Sequence, residues 1–366
     1  MSQPVIVPPD AISAAAARAR QDQLTKPPGS LGRLETLAIW LASCQRRTVP
    51  LALQPAIAIF AADHGVTAQG VSAYPSVVTA EMVRNFARGG AAISVLAHAR
   101  RIPLSVIDVG VATDLEPLAG VTTARIRAGT ADSSAAPAMA INEARAALQV
   151  GREIATQQID AGANLLIGGE MGIGNTTAAA ALLVALAQVP LDIAVGAGTG
   201  LDASGIERKR AVVARMLARA QRRESHRGSD AVPTDRAQPG TEHTTHSALD
   251  WLAQVGGLEI AALAGYYSAA AAARVPVIVD GFIATVAAIV AERLAPGTTA
   301  WLVAAHRSAE RGHAAALEVL GLKPLLDLDL RLGEGSGAAV AIALLDAAVA
   351  LHAQMATFDE AGVSRS

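Results

Sequence analysis

The sequence predicts an α/β protein built on a parallel sheet that helices cover on both faces. Short apolar runs recur along most of the chain, at residues 56–60, 104–107, 165–167, 277–279 and 301–303. Alanine-rich helical stretches separate most of these runs, and each run is followed by a glycine or a polar residue. Continuous apolar strands that alternate with helices are typical of a parallel sheet buried on both faces. Ligands of such sheets bind beyond the carboxyl ends of the strands, which is where the polar residues of this chain collect.

Two helices are predicted ahead of the first strand. The first covers residues 10–22, with Asp10 as its N-cap and alanine-rich helix formers in its middle. The second covers residues 31–45, where apolar residues recur at helical spacing on one face. We therefore expect a small helical domain from residues 1–48 together with about residues 346–366, and a large α/β domain over residues 49–345.

Residues 221–246 break the α/β pattern. They are rich in charged residues, proline, serine and threonine, and they contain almost no large apolar residue. This composition predicts a mobile surface insertion. His243 and His246 could hold a metal, but no cysteine or carboxylate at ligand spacing accompanies them, which favours a solvated loop.

The composition points to small-molecule chemistry in the cytoplasm. The 366 residues carry a formal net charge of -2 and only 3% aromatic residues, which does not indicate a nucleic-acid partner. Charged residues such as Glu259 and Asp346 interrupt the apolar runs before they reach the ~20 residues of a membrane-spanning helix. No signal-peptide pattern opens the chain, and Cys44 is the only cysteine, so no disulfide can form within it.

The first candidate for chemistry lies in residues 325–337. Leucines alternate with Asp327, Asp329 and Arg331, which predicts a half-buried strand that ends at Gly333. Glu334 then follows between two glycines, where the backbone can take positive φ, and an apolar helix is expected from residue 338. One carboxylate is thus predicted at a strand-to-helix switch. The helix over residues 338–351 is a candidate for either core or interface.

A second glycine-rich stretch covers residues 168–177. It follows a buried strand and precedes a helical run that Asn175, Thr176 or Thr177 could cap, so its free N–H groups are suited to a phosphate. An ordinary strand-to-helix turn is the alternative, and the second acidic glycine loop at Glu334 favours a functional role.

Three further signals stay open at the level of sequence. Lys209, beyond the glycines of residues 196–200, could reach a phosphate or lie on the surface. His64 could be catalytic or a satisfied structural histidine. The glycine spacing at residues 333–338 matches a dinucleotide fingerprint, but only one helix can follow it, which excludes the βαβ unit that the motif needs.

Five stretches together resemble the nicotinate-nucleotide–dimethylbenzimidazole phosphoribosyltransferase family. They are residues 26–35, 62–66, 169–177, 280–282 and 331–338. The resemblance spans nearly the whole chain in order, apart from residues 221–246, onto which nothing is carried over. It implies a Rossmann-like, mostly parallel six-stranded sheet flanked by helices, a small helical domain built from both termini, and a homodimer.

The resemblance also implies the reaction and its residues. Dimethylbenzimidazole would displace nicotinate from nicotinate mononucleotide and give α-ribazole phosphate for the lower ligand of cobalamin. Glu334 matches the family's general base, and Glu170 matches a second carboxylate. The implied substrate-binding residues are Tyr74, Met82 and Met171 at the benzimidazole, Gly172, Gly174, Asn175 and Lys209 at the phosphate, and Thr176, Gly333 and Gly335 beside them. Tyr74 and Met82 fill positions expected to be polar, so the preferred base stays open.

Elementary chemistry fits these residues. An azole that attacks the ribose must lose one proton, whereas nicotinate leaves a cationic pyridinium as a neutral ring nitrogen. One base is needed, with no general acid, metal or cofactor. Asp280 stands alone after its strand, which argues against phosphoribosyl pyrophosphate as donor. Two alternatives remain, namely a transferase for another base such as adenine or a phenol, and a non-catalytic protein that binds a mononucleotide.

Overall fold

The computed structural model describes residues 5–198, 200–227 and 247–364. Its strands are β1 (Pro55–Ala62), β2 (Leu104–Gly110), β3 (Val121–Thr123), β4 (Leu165–Met171), β5 (Val277–Val279), β6 (Leu302–Ala304), β7 (His306–Arg307) and β8 (Leu326–Asp327). Its helices are α1 (Ala11–Gln21), α2 (Arg33–Gln45), α3 (Val77–Arg88), α4 (Ala92–Arg100), α5 (Ile141–Asp160), α6 (Asn175–Ala187), α7 (Leu191–Ala194), α8 (Ala203–Arg227), α9 (Ala248–Val255), α10 (Leu258–Ala272), α11 (Phe282–Leu294), α12 (Arg311–Leu320), α13 (Ser336–Gln354) and α14 (Phe358–Ala361). Short 3₁₀ helices cover Gly65–Gln69 and Thr298–Trp301.

Within these residues, six strands form one parallel sheet in the order β3-β2-β1-β4-β5-β6. The predicted α/β class and the six-stranded sheet are confirmed. The five apolar runs correspond to β1, β2, β4, β5 and β6, although Trp301 belongs to a 3₁₀ helix rather than to β6. The edge strand β3 is short and mostly exposed, which explains why no apolar run announces it.

Alternate side chains of each central strand enter two separate cores. On β1, Phe60 packs into a core formed with α5, α6, α8, α9, α10 and α11, whereas Ile57 and Ile59 pack on the opposite face with α2, α3, α4 and α13. All three side chains are fully buried. A sheet covered on both faces leaves the carboxyl ends of its strands as the open edge for a ligand.

The half-buried strand predicted over residues 325–332 is wrong. Only Leu326 and Asp327 form a strand, and they pair with β7 in a separate two-stranded sheet. Asp329 takes a left-handed φ of 53°, which ends the extended run, and Leu328 and Leu332 are more than half exposed. The alternation of leucine and charge therefore marks a segment that runs along the surface towards Glu334.

Both predicted N-terminal helices are present as α1 and α2. Asp10 caps α1 by accepting a hydrogen bond of 2.8 Å from the backbone N–H of Ser13. The Arg20 guanidinium donates to the carbonyl of His352 in α13 at 2.9 Å, and α2 packs against α13. The C-terminal helix thus contacts the N-terminal pair, and the division into two domains stays a prediction.

The predicted insertion over residues 221–246 lies mostly outside the described residues, as do His243 and His246. The prediction is wrong for residues 221–227, which are not an insertion loop but the last residues of helix α8. Among the described helices, α13 alone is long and apolar enough to cross a membrane by length and composition, and half of its most apolar window is buried inside the fold. That burial places one face of α13 in the core against the sheet.

Helices α5 and α10 approach so closely that glycine is required at their contact. A Cβ added to Gly151 would lie 1.8 Å from the carbonyl oxygen of Ala262, and one added to Gly265 would lie 1.9 Å from that of Leu148. Such contacts cannot be relieved by a side-chain rotation, because the atoms they meet belong to the backbone.

We expect Gly151→Ala to lower the free energy of unfolding by about 1–3 kcal/mol, because the added methyl group forces the two helices apart. Helix propensity alone would favour alanine by about 1 kcal/mol, so the sign of the change separates the two effects. Urea unfolding measures it, with Gln157→Ala on the exposed face of α5 as the control. A variant that is as stable as the parent would show that the helices can separate without cost.

Candidate active site

A cleft of about 370 Å³ opens beyond the carboxyl ends of β4 and β5. Nine of the residues singled out from the sequence line it, namely Tyr74, Met82, Glu170, Met171, Gly172, Asn175, Thr176, Gly333 and Glu334. Gly174, Lys209 and Gly335 lie immediately behind that lining. Two stretches that are more than 150 residues apart in the chain are thus brought to one site.

The backbone around Glu334 forms three consecutive left-handed residues. The φ angles are 84° at Gly333, 63° at Glu334 and 77° at Gly335, and α13 begins at the next residue. Ser336 closes the turn, since its Oγ donates to the carbonyl of Gly333 at 2.7 Å. A left-handed conformation is unfavourable for a residue with a Cβ, so the surrounding structure must hold Glu334 in place.

The two acidic loops touch each other through their backbones. A Cβ added to Gly169 would lie 2.6 Å from the carbonyl carbon of Glu334, and one added to Gly333 would lie 2.6 Å from Oε1 of Glu170. Only glycine at both positions allows this approach. The contact sets the carboxylates of Glu170 and Glu334 side by side at the floor of the cleft.

Glu334 is a desolvated carboxylate. The residue is 4% exposed, and its buried Oε2 has no hydrogen-bond partner among the residues that the structure describes. Burial raises its pKa to about 7, helped by the charge of Asp280, while the backbone N–H of Ile93 acts in the opposite direction. A carboxyl group with this pKa can accept a proton at neutral pH.

Glu170 lies beside it and is also removed from water. Burial raises its pKa to about 8, and the charges of Glu259, Asp280 and Glu334 add to the shift. The Asn175 side-chain amide donates to its Oε2. Asn175 therefore does not cap α6 as expected from the sequence, and the N-cap is Gly174 with a φ of 98°. The free cleft thus crowds acidic groups where a cation would be favoured.

Lys209 is buried, and its interpretation as an ordinary surface lysine is wrong. It lies on α8 with 1% exposure, and its Nζ donates to Oγ1 of Thr176 at 2.7 Å. Burial lowers its pKa to about 8, although the charge of Glu310 opposes the shift. The ammonium group therefore stands at the N-terminal turn of α6, where the helix dipole also attracts an anion.

Apolar side chains also line the cleft. Met82 and Met171 are partly buried there, and Tyr74 and Leu332 are more than half exposed. Ser308 and Glu310 also line the cleft, although no sequence motif singles them out. They follow the carboxyl end of β6, which is the one signal that could have found them.

His64 pairs with a carboxylate below the glycine loop instead of lining the cleft. Its Nε2 lies 2.7 Å from Oε1 of Glu259, and both side chains are buried. Burial alone would lower the pKa of His64, but the charge and hydrogen bond of Glu259 raise it above its ordinary value. Its ring lies under Gly172, where a Cβ would come within 3.4 Å of it. This arrangement fits a structural histidine that supports the loop.

Asp280 holds the turn beside Glu334, although the sequence did not predict it to be a site residue. Its carboxylate accepts hydrogen bonds from the backbone N–H groups of Gly335 at 3.2 Å and Ala338 at 2.9 Å. Two signals in the sequence pointed to it, namely its position directly after the apolar run of β5 and its place in residues 280–282, one of the stretches that resemble the family. Across the described residues, no group of three or more histidine, cysteine or acidic side chains could hold a metal ion.

Comparison with known proteins agrees with this geometry. A phosphoribosyltransferase family model matches residues 6–363. A nicotinate-nucleotide–dimethylbenzimidazole phosphoribosyltransferase of Chromobacterium violaceum is 52% identical over 349 residues, which is 95% of each chain. The chain belongs to this family.

Other members of the nicotinate-nucleotide–dimethylbenzimidazole phosphoribosyltransferase family also align with this chain over nearly its whole length. The one from Xanthomonas oryzae pv. oryzae is 54% identical over 357 residues, covering 97% of this chain and 96% of the relative. The crystal structure of CobT from Thermus thermophilus superposes with a TM-score of 0.87 at 48% identity, covering 97% of this chain and all of that one. The fold of this phosphoribosyltransferase is therefore that of its solved relative.

The raised pKa of Glu170 predicts how the stability of this phosphoribosyltransferase depends on pH. Below the ordinary glutamate pKa of 4.5 the carboxyl is protonated in both states, so it adds no pH dependence. Between 4.5 and about 8 the unfolded chain loses the proton more readily than the fold does, and stability falls. Glu170→Gln has no such proton to lose.

At pH 8.5 we expect the free energy of unfolding of Glu170→Gln to exceed that of the parent by on the order of a few kcal/mol, which urea unfolding measures. Near pH 4 the two proteins should be equally stable. Glu318→Gln, at an exposed position on α12, serves as the control with no gain at either pH. Equal stability of parent and Glu170→Gln at pH 8.5 would contradict the raised pKa.

Proposed function

We propose that this chain transfers the phosphoribosyl group of nicotinate mononucleotide to dimethylbenzimidazole, giving α-ribazole phosphate and nicotinate, in cobalamin nucleotide-loop assembly. The observation that carries the proposal is the buried carboxylate of Glu334, whose pKa is raised to about 7 and whose Oε2 has no hydrogen-bond partner within the described part of the chain. The names of the relatives support the same reaction. Each substrate group has a matching part of the cleft.

Glu334 is the general base. The benzimidazole nitrogen that is not attacking carries one proton, which must leave as the new bond to the ribose carbon forms. The free Oε2 of Glu334 accepts it, and the pair of electrons from that N–H bond returns to the ring. Nicotinate departs with the electrons of its bond to the ribose and becomes a neutral pyridine nitrogen, so no acid is required.

Glu170 stabilises positive charge at the ribose. Its pKa is raised in the empty cleft, so binding of the cationic pyridinium beside it favours the ionised form. As the bond to nicotinate lengthens, positive charge moves onto the ribose ring, and a largely buried carboxylate interacts with that charge more strongly than one in water. The same residue thus serves the bound substrate and the transition state.

The phosphate binds at the N-terminal turn of α6. Gly172 and Gly174 offer backbone N–H groups at the turn that leads into Asn175, and Thr176 and Lys209 add a hydroxyl and an ammonium group. Lys209 is fully charged once a phosphate dianion lies beside it, because the anion raises its lowered pKa. The acidic groups at Glu170 and the basic group at Lys209 orient the nucleotide.

The acceptor base binds between the apolar side chains and the Glu334 turn. Tyr74, Met82 and Met171 contact its ring, and Gly333 leaves room for it to reach the carboxylate of Glu334. Gly335 supports the turn from behind the lining. The flexible methionine side chains could also accommodate another planar base. A transferase for a different lower-ligand base is therefore the second candidate function.

We propose that the enzyme works as a cytoplasmic homodimer. The buried, reduced Cys44 suits a reducing compartment, and exposed valines on the adjacent helices α4 and α13, Val95 and Val340, suit an interface. Light scattering coupled to size-exclusion chromatography measures the mass of the particle.

We expect Glu334→Gln to lower kcat by about 10²- to 10⁴-fold, because the amide cannot accept the azole proton. The KM for nicotinate mononucleotide should stay within about twofold, since the nucleotide is held elsewhere in the cleft. Chromatographic assay of released nicotinate measures both constants, with Glu318→Gln as the matched control. Full turnover in Glu334→Gln would refute the assignment, and no turnover by the parent would favour a binding protein.

We expect Met82→Gln to change the relative kcat/KM for dimethylbenzimidazole, adenine and a phenol by about tenfold in a competition assay, because it places a polar group against the ring. The KM for nicotinate mononucleotide should not change. Met216→Leu, on the buried face of α8, is the control. Unchanged ratios of kcat/KM among the three bases would exclude Met82 from the base pocket.

A further inference from the structure

The turn that carries Glu334 does not hold its shape through local interactions alone. Glu334 itself is left-handed, and glycines flank it on both sides. The preceding residues 328–332 lie outside any strand, so they do not anchor the turn to a sheet. The N-cap of α13 is Gly335, which has no side chain to satisfy the first N–H groups of that helix.

One carboxylate from a distant part of the chain supplies the missing cap. Asp280 accepts from Gly335 N at 3.2 Å through Oδ2 and from Ala338 N at 2.9 Å through Oδ1. These two donors span the last residue of the left-handed turn and the first turn of α13. A buried anion at a helix N-terminus also interacts favourably with the helix dipole, and water screens it little here because Asp280 is 2% exposed.

The position of Asp280 is rigid. It directly follows β5, which pairs with β4 and β6 inside the sheet. On its other side, the ring of His306 fills the space above Gly337, where an added Cβ would lie 2.1 Å from the ring, and His306 Nε2 lies 3.6 Å from Oδ1 of Asp280. The carboxylate therefore connects a fixed strand end to the turn and has little freedom to move.

Asp280 does not line the cleft, although its neighbour Gly281 does, and both of its oxygens are engaged with backbone N–H groups. It therefore acts on the reaction without touching substrate, through the turn that it holds and through the charge that raises the pKa values of Glu334 and Glu170.

We propose that Asp280 is the positioning residue of the general base Glu334, fixing the carboxylate at the distance from the acceptor ring that proton transfer requires. The inference rests on the proposed function, because it takes Glu334 as the base. It gives the Asp-Gly-Phe stretch at residues 280–282 a role in catalysis, namely the positioning of Glu334. Asp280 does not touch the substrate in this role.

The test is a double-mutant cycle built on Asp280→Asn. The amide keeps the size of the side chain but turns one acceptor into a donor that faces a backbone N–H, so the turn loses one of its two anchors. We expect kcat to fall by about 10²-fold and the KM for nicotinate mononucleotide to stay within about twofold. In the Glu334→Gln background the same change should lower kcat by less than about twofold, because the group that it positions is already inactive.

Two further variants separate positioning from loss of structure. Asp108→Asn is the control, since Asp108 is a fully buried carboxylate near the end of β2, away from the cleft, that accepts two backbone N–H bonds and pairs with Arg125. Its kcat should equal that of the parent. Ser336→Ala removes the hydrogen bond that closes the turn while the charge of Asp280 stays, so it separates positioning from the effect of that charge on the pKa of Glu334. It also serves if Asp280→Asn does not fold. It should lower kcat several-fold in the parent and not in the Glu334→Gln background.

A folded Asp280→Asn with the kcat of the parent would overturn the inference, and so would an equal loss of kcat in both backgrounds. Where Asp280→Asn does not fold, the same two results for Ser336→Ala would overturn it. Failure of the underlying function has a different signature, because Glu334→Gln alone would then keep full activity.

Discussion

The close approach of two backbones, at Gly169 and Glu334, is the constraint on which the site depends. No side chain fits between them, since a Cβ on Gly169 would come within 2.6 Å of the Glu334 carbonyl. The approach joins the end of β4 to the start of α13 and sets two carboxylates side by side, both largely buried. Their raised pKa values follow from that desolvation and from the repulsion of neighbouring carboxylates.

The cleft distributes charge in the way that a zwitterionic nucleotide needs. The pKa of Glu170 is raised where a cationic ring and a developing positive charge would lie. The pKa of the buried Lys209 amine is lowered at a helix N-terminus, where an anion would lie. Each group is therefore unfavourable in the empty cleft and becomes favourable when its partner binds. Substrate binding and the correct ionisation of the site are thereby the same event.

The sequence carries the local parts of this structure and not the long-range ones. Apolar runs locate β1, β2, β4, β5 and β6 because a strand buried on both faces must be apolar along its length. The alternating leucines before Glu334 mislead, because left-handed Asp329 ends the extended run. Lys209 and Asp280 cannot be evaluated from sequence, since the burial of one and the cap formed by the other depend on residues more than 30 positions away.

The titration of Glu334 tests the central claim most directly. Carbon-13 NMR of protein labelled in its glutamate carboxyl groups follows each carboxyl through pH, and the spectrum of Glu334→Gln identifies the resonance that belongs to Glu334. A carboxyl that burial has prepared to act as a base titrates with a midpoint near 7. A midpoint near the ordinary glutamate value of 4.5 would mean that the carboxyl is solvated, and it would contradict the account.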